Sequence, residues 1–211
     1  MAFAPAAVEL RSPGIILQIG QRISPAMMTR IGVLADTHVP DRRRSLHPDV
    51  LRVFQSARVE TILHAGDVST PSVLAQLEEI APVHAVRGNR DWVALGHLPH
   101  YCRLNVAGVE IGLSHGHGRP LNYAIDRVDY LLRGYRLELF KPRLLATFPG
   151  VKVIVFGHTH RPLNHWEDGV LLFNPGSPHF PDRKDIAPSV GILHITAEGV
   201  VEGEIRPLES S

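Results

Sequence analysis

Short apolar runs alternate with amphipathic stretches from Arg30 onward. Ile31 to Ala35 reads as a short buried strand, Asp49 to Ser56 as a helix and Thr61 to His64 as a second strand. Pro71 to Ile80 has amphipathic helical spacing, and Val83 to Val86 is another strand. Short strands alternating with helices predict βαβ units with parallel pairing. After Pro99 the rhythm changes to closely spaced strands, Tyr101 to Val106 and Val109 to Ser114, joined tightly at Ala107-Gly108. Val153 to Phe156, Val170 to Phe173, Val190 to Ile195 and Val200 to Ile205 continue that style, with Gly169 and Glu198-Gly199 as turns. The simplest fold class is α/β: two β-sheets packed face to face with helices on both outer faces, an α/β/β/α sandwich.

One stretch departs from this alternation. Residues 119–148 read as a helical insertion, with Ile125, Val128, Leu131, Leu132 and Tyr135 at helical spacing. Pro142 is expected to open a second helix, Pro142 to Thr147, because proline suits a first helical turn. The plain expectation is two helices packed on a sheet; the sharper one is a lid or a homo-oligomer surface. Residues 1–27 read as a loosely ordered N-terminal extension, and residues 28–207 as the domain. Met27 and Met28 stand just before the first core strand, as alternative translation starts.

A chain of 211 residues suits one domain with a substantial core. A net charge of +1 gives no general drive towards nucleic acid or an anionic membrane. No apolar run approaches the roughly 20 residues that span a bilayer, and the first residues fit a secretory signal poorly. Cys102 is the single cysteine, which excludes an internal disulfide and a thiolate zinc site. A buried, inert thiol in a cytoplasmic protein is the expectation.

The 13 histidines change the picture, because they cluster beside glycine and aspartate. The clusters are Asp36-Thr37-His38, Gly66-Asp67, Gly88-Asn89-Arg90-Asp91, His115-Gly116-His117 and Gly157-His158-Thr159-His160. Each follows an apolar run, so each falls at the carboxyl end of a predicted strand, where open α/β sheets gather ligands. Two aspartates, one asparagine and four histidines of these motifs would form a mixed oxygen and nitrogen set. Such a set suits borderline divalent ions, manganese foremost, with nickel, zinc, iron or cobalt as alternatives. Seven ligands are too many for one ion with an open position. They suit two ions about 3.5–4 Å apart that share a carboxylate and clamp a phosphoryl displacement.

These motifs, in this order, resemble the calcineurin-like metallophosphoesterase superfamily, and within it the small bacterial and archaeal phosphodiesterases. The resemblance covers about residues 28–207, and Asn174-Pro175-Gly176-Ser177 matches a loop of that subfamily. It implies that Asp36, His38 and His160 hold a first metal, that Asp67 bridges, and that Asn89, His115 and His158 hold a second. Asn89, Arg90, Asp91 and His117 are the candidate catalytic residues. Many larger relatives have a proton-donating histidine directly after the asparagine; here Arg90 stands there, and a guanidinium stays charged. Arg90 is therefore a candidate phosphate ligand and His117 a candidate substitute acid.

The expected function is hydrolysis of a small organic or nucleotide-like phosphodiester. The alternatives are a phosphomonoesterase or nuclease, and a non-catalytic metal-binding scaffold like the retromer subunit of this fold. The complete ligand set favours catalysis. Arg42-Arg43-Arg44 is either a polyanion contact or a solvated loop face. His64 and His84 are read as structural, and His179 as a neighbour of the pocket.

Overall fold

The computed structural model describes residues 28–118, 128–130, 132–134, 136–181 and 183–209. The expectations for residues 1–27 and for Ile125, Leu131 and Tyr135 lie outside those residues. The described elements begin with β1 (Met28–Leu34), α1 (Pro48–Ala57), β2 (Thr61–His64), α2 (Pro71–Glu78) and β3 (Val83–Ala85). They continue through β4 (Tyr101–Val106), β5 (Val109–Ser114), α3 (Leu137–Thr147), β6 (Val153–Val155) and β7 (Pro162–Glu167). The chain closes with β8 (Val170–Pro175), β9 (Ser189–Thr196) and β10 (Val201–Pro207).

Two five-stranded sheets result, in the orders β10-β9-β1-β2-β3 and β4-β5-β6-β8-β7. In the first, β1, β2 and β3 run parallel, while β9 is antiparallel to both its neighbours, β1 and β10. In the second, β5, β6 and β8 run parallel, while β4 and β7 are antiparallel edges. The alternation of side chains along each strand builds three apolar layers. Ile31, Val33, Leu63, Ile111, Leu113, Val153, Val155, Leu171 and Phe173 point between the sheets. Leu34 and Ile62 point the other way, beneath Val50 and Phe54 of α1 and Val73 and Leu77 of α2. Ile154 and Leu172 likewise meet Phe140 and Leu144 of α3. The α/β/β/α sandwich expected from the sequence is thus the observed fold, and burial on both faces explains why its central strands read as continuous apolar runs.

Several local expectations are corrected. Pro142 does not open a helix: it sits inside α3, which begins at Leu137. Leu137, Phe140 and Leu144 share the buried face, and that packing outweighs the backbone hydrogen bond lost at the proline. Residues 128–130 and 132–133 are helical, but Val128 is 57% and Leu132 76% exposed, so these two do not pack on the sheet as their spacing predicts. His84 is exposed rather than structural. Cys102 is half-buried, and burial raises its thiol pKa, which keeps it protonated. Strand β7 has no counterpart in the apolar pattern, because Asn164, His165 and Trp166 are exposed on a sheet edge. No helix among the described residues is long and apolar enough to cross a membrane.

Candidate metal centre

The loops that leave the parallel strands β1, β2, β3, β5 and β6 all meet at one rim. Backbone hydrogen bonds tie them together: Asp36 N donates to Gly66 O (3.0 Å), His38 N to Asp67 O (3.1 Å) and Gly157 N to His115 O (3.3 Å). His158 N donates to Asp36 Oδ2 across the two sheets at 2.9 Å. Tight turns are required to aim the side chains inward. Asp36, His38, Asp67, His158 and His160 all have left-handed backbones, with φ of 55°, 52°, 54°, 70° and 55°. Non-glycine residues in that region cost of order 1–3 kcal/mol each, and such strain gathers at functional sites.

The side chains then converge. Ligand atoms of Asp36, His38 and His160 lie within 4.8 Å of one another, and so do those of Asp36, Asp67 and His115. Asp67 faces both groups: Oδ2 lies 3.8 Å from His38 Nε2, and Oδ1 lies 3.6 Å from His115 Nε2. Asp36 Oδ1 is 3.4 Å from His160 Nε2 and 4.0 Å from His115 Nε2. Asn89 Oδ1 is 3.1 Å from His115 Nε2. The His158 ring stands edge-on to His115, with centres 5.1 Å apart, and belongs to neither tight group.

Hydrogen bonds outside the cluster fix the tautomers. His115 Nδ1 donates to Ala65 O (2.7 Å) and His160 Nδ1 to Phe180 O (2.5 Å), so in the neutral rings each Nε2 turns a lone pair inward. Those lone pairs meet carboxylate and amide oxygens and the Nε2 of His38, 3.2 Å from that of His160. Among the described residues, Asp36 Oδ1 is buried without a hydrogen-bond donor, and His38 Nδ1 has no partner either. Acceptors gathered face to face in a buried site are mutually repulsive until a cation joins them. The residues therefore fit divalent metal.

The electrostatics agree. Burial raises the Asp36 carboxyl to about 8, with Asp67 and Asp91 adding to the rise and His115 opposing it. Burial lowers His38 to about 2, helped by His160, Arg42 and Arg90, and holds His158 well below its ordinary value. Imidazoles kept neutral are in their ligating form.

The other sequence candidates fall around this cluster. Asp91 is buried and commits both oxygens to backbone amides. Oδ2 accepts from Asp67 N (2.9 Å) and Gly88 N (2.8 Å), and Oδ1 accepts from Ser69 N (2.8 Å). It shapes the loops rather than facing a substrate. Arg90 N donates to Asp67 Oδ1 (2.8 Å), while its half-exposed guanidinium lies 3.9 Å from Asp41 at the rim. The His117 ring is 5.2 Å from that of His115 and 6.1 Å from that of His158. Burial, followed by His115, His100 and nearby arginines, lowers His117 to about 3. A ring that resists protonation so strongly is a poor proton donor at neutral pH. His64 Nε2 lies 3.3 Å from Thr37 Oγ1 under the loops, in the structural place expected.

Sequence reasoning gave no role to several positioning groups. Asn174 Nδ2 donates to Gly157 O (2.9 Å) and its Oδ1 accepts from Gly176 N (2.9 Å). Ser177 Oγ donates to Asp36 O (2.8 Å), and Thr37 Oγ1 donates to Val68 O (3.2 Å). Arg143 of α3 donates to Gly116 O (2.9 Å), fastening the helix to the His115 loop. The Asn-Pro-Gly-Ser turn was the one visible signal for these clasps.

Residues 28–198 match the calcineurin-like phosphoesterase superfamily domain, and the chain belongs to that family. It is 37% identical over 168 residues to a probable metallophosphoesterase of Methanothermobacter thermautotrophicus, covering 80% of this chain and 87% of the relative. A phosphodiesterase of Methanocaldococcus jannaschii is 26% identical over 152 residues, covering 70% of this chain and 82% of the relative. Among solved structures, vacuolar protein sorting 29 from Cryptosporidium parvum aligns with a TM-score of 0.60 over 87% of this chain and 100% of its own. At 17% identity that likeness shows the fold alone. The family's chemistry is metal-dependent hydrolysis of phosphoester bonds, and the chain carries the Asp and His groups able to hold a metal.

Proposed function

We propose that the protein is a two-cation phosphodiesterase. Asp36, His38 and His160 would hold one ion, Asn89, His115 and His158 the other, and Asp67 would serve both. The reading rests on Asp67, whose two oxygens face different histidines on opposite sides of one buried cluster. When bound, paired divalent cations acidify water towards neutrality and neutralise charge on the phosphoryl group. The chain's own part is placement. The Ala65 and Phe180 carbonyls orient His115 and His160, and Asp91 holds the turns that present Asp67 and Asn89. Arg90, permanently charged at the rim, binds a non-bridging phosphate oxygen as charge develops.

Preference for diester over monoester is supported by the phosphodiesterase relative. A small nucleotide-like or organic diester, with manganese as the native ion, is the substrate and metal we infer. The test compares metal-stripped protein on bis(p-nitrophenyl) phosphate and on p-nitrophenyl phosphate, with manganese, nickel or zinc restored. Metal-dependent turnover favouring the diester, abolished in Asp67→Ala, is the expected result. Faster monoester turnover would make the protein a phosphomonoesterase, and metal binding without any turnover would make it a scaffold.

A further inference from the structure

The run Arg42-Arg43-Arg44 lies directly beside the first ligand group. Arg42 N donates to His38 O at 2.9 Å, so a single turn joins the arginines to a candidate metal ligand. Phe180 stands between: its ring meets His38 edge-on with centres 6.1 Å apart, and its carbonyl holds His160. The guanidinium carbons of Arg42 and Arg43 both lie over that ring, 5.4 and 5.6 Å from its centre. Moving outward from the cluster, the order is His38, Phe180 and then two stacked guanidinium groups.

All three arginines are exposed, but two of them share one aromatic face. Stacking on an aromatic face fixes a guanidinium while leaving its N–H edge available to an anion. Among the described residues, Arg42, Arg43 and Arg44 have no carboxylate within ion-pair distance. The one acid in the turn, Asp41, is engaged by Arg90 and by Ser69 Oγ (3.0 Å). Two like charges held over one ring repel each other, and an anion between them relieves that repulsion.

We propose that Arg42 and Arg43, stacked on Phe180, form a second anion subsite that selects phosphodiesters carrying a further phosphate on the group lying towards His38. The proposal rests on the phosphodiesterase reading and narrows its substrate class to phosphorylated nucleotide-like diesters. A diester with a terminal phosphate one sugar away from the scissile bond presents this charge pattern.

Two readouts separate the subsite from the reaction. The first is turnover, by manganese-loaded protein, of thymidine 5′-(p-nitrophenyl phosphate) and its 3′-phosphorylated counterpart. The second is calorimetric binding of thymidine 5′-monophosphate and thymidine 3′,5′-bisphosphate to the same protein. Wild type should favour the extra phosphate by roughly tenfold or more in kcat/KM and in affinity. That ratio should fall towards one in the double variant Arg42→Gln/Arg43→Gln, whose metal content is measured alongside. A wild-type ratio near one in both assays, or a ratio unchanged in the variant, overturns the subsite. An intact binding ratio with neither ester hydrolysed supports the subsite while the phosphodiesterase reading fails.

Discussion

Asp91 holds Asp67 by its backbone: the Asp91 Oδ2 atom accepts the Asp67 amide at 2.9 Å, and the same oxygen accepts Gly88 N at 2.8 Å. One buried carboxylate thereby sets the spacing between the turn that presents the bridging candidate and the turn that presents Asn89. Asp91→Asn keeps the shape but replaces one oxygen by an amide NH2, which cannot accept a hydrogen bond and leaves at least one buried N–H unsatisfied. The expected cost is about 1–3 kcal/mol of stability, with metal affinity falling roughly 10- to 100-fold. Urea unfolding and a competing chelator measure the two effects. Wild-type metal affinity in Asp91→Asn would mean the turns hold themselves.

Gly88 is required for space rather than for a turn. A Cβ there would lie 2.2 Å from Asp67 Oδ1 and 2.3 Å from Asp67 N. Gly88→Ala is expected to displace Asp67 and abolish metal-dependent turnover while the sandwich still folds. Gly150→Ala, at a turn with φ of 80° and nothing within 4 Å of the added atom, separates backbone strain from a steric clash. Circular dichroism with metal titration distinguishes a lost site from a lost fold.

His117 is expected to leave the pH profile alone. With its pKa lowered to about 3 by burial and by His115, it carries no titrating proton near neutrality, and bound cations lower it further. His117→Asn should therefore change the rate without moving either limb of the pH–kcat/KM curve or the dependence on leaving-group pKa. A displaced basic limb, or a steeper leaving-group dependence, would restore His117 as proton donor.

Acid should destabilise the metal-free protein between pH 6.5 and about 4. Burial holds both His64 and His179 down at about 4, against an ordinary value of 6.5. In that window the unfolded chain binds more protons than the folded one. The stability these groups contribute is complete above 6.5 and is lost as pH falls through 4. The urea midpoint should drop across this interval, and His179→Asn should flatten the drop. A midpoint that is constant from 6.5 to 4 would contradict the assignment.

Much of this was legible in the chain because of how the sandwich is buried. Strands β1, β6 and β8 are covered on both faces, so their apolar runs stand out, and β1 and β6 lead straight into the ligand pairs Asp36/His38 and His158/His160. Strand β7 was not legible: at an exposed edge, Asn164, His165 and Trp166 need no apolar alternation. Pro142 misled in the other direction, since its local preference for a first turn yields to the packing of Leu137, Phe140 and Leu144. In the site, ligand types and their order were visible, whereas tautomers were not. They depend on the Ala65 and Phe180 carbonyls, which carry no side-chain signature. Asp91 belongs to a motif that reads as chemistry but folds as a clasp.

The most direct test of the two-cation account is a titration of metal-stripped protein with manganese, following hydrolysis of bis(p-nitrophenyl) phosphate at protein concentrations far above the dissociation constant. The account predicts activity that rises to a plateau at two equivalents per chain, with Asp67→Ala inactive throughout. A plateau at one equivalent, or turnover that persists without metal, would contradict it.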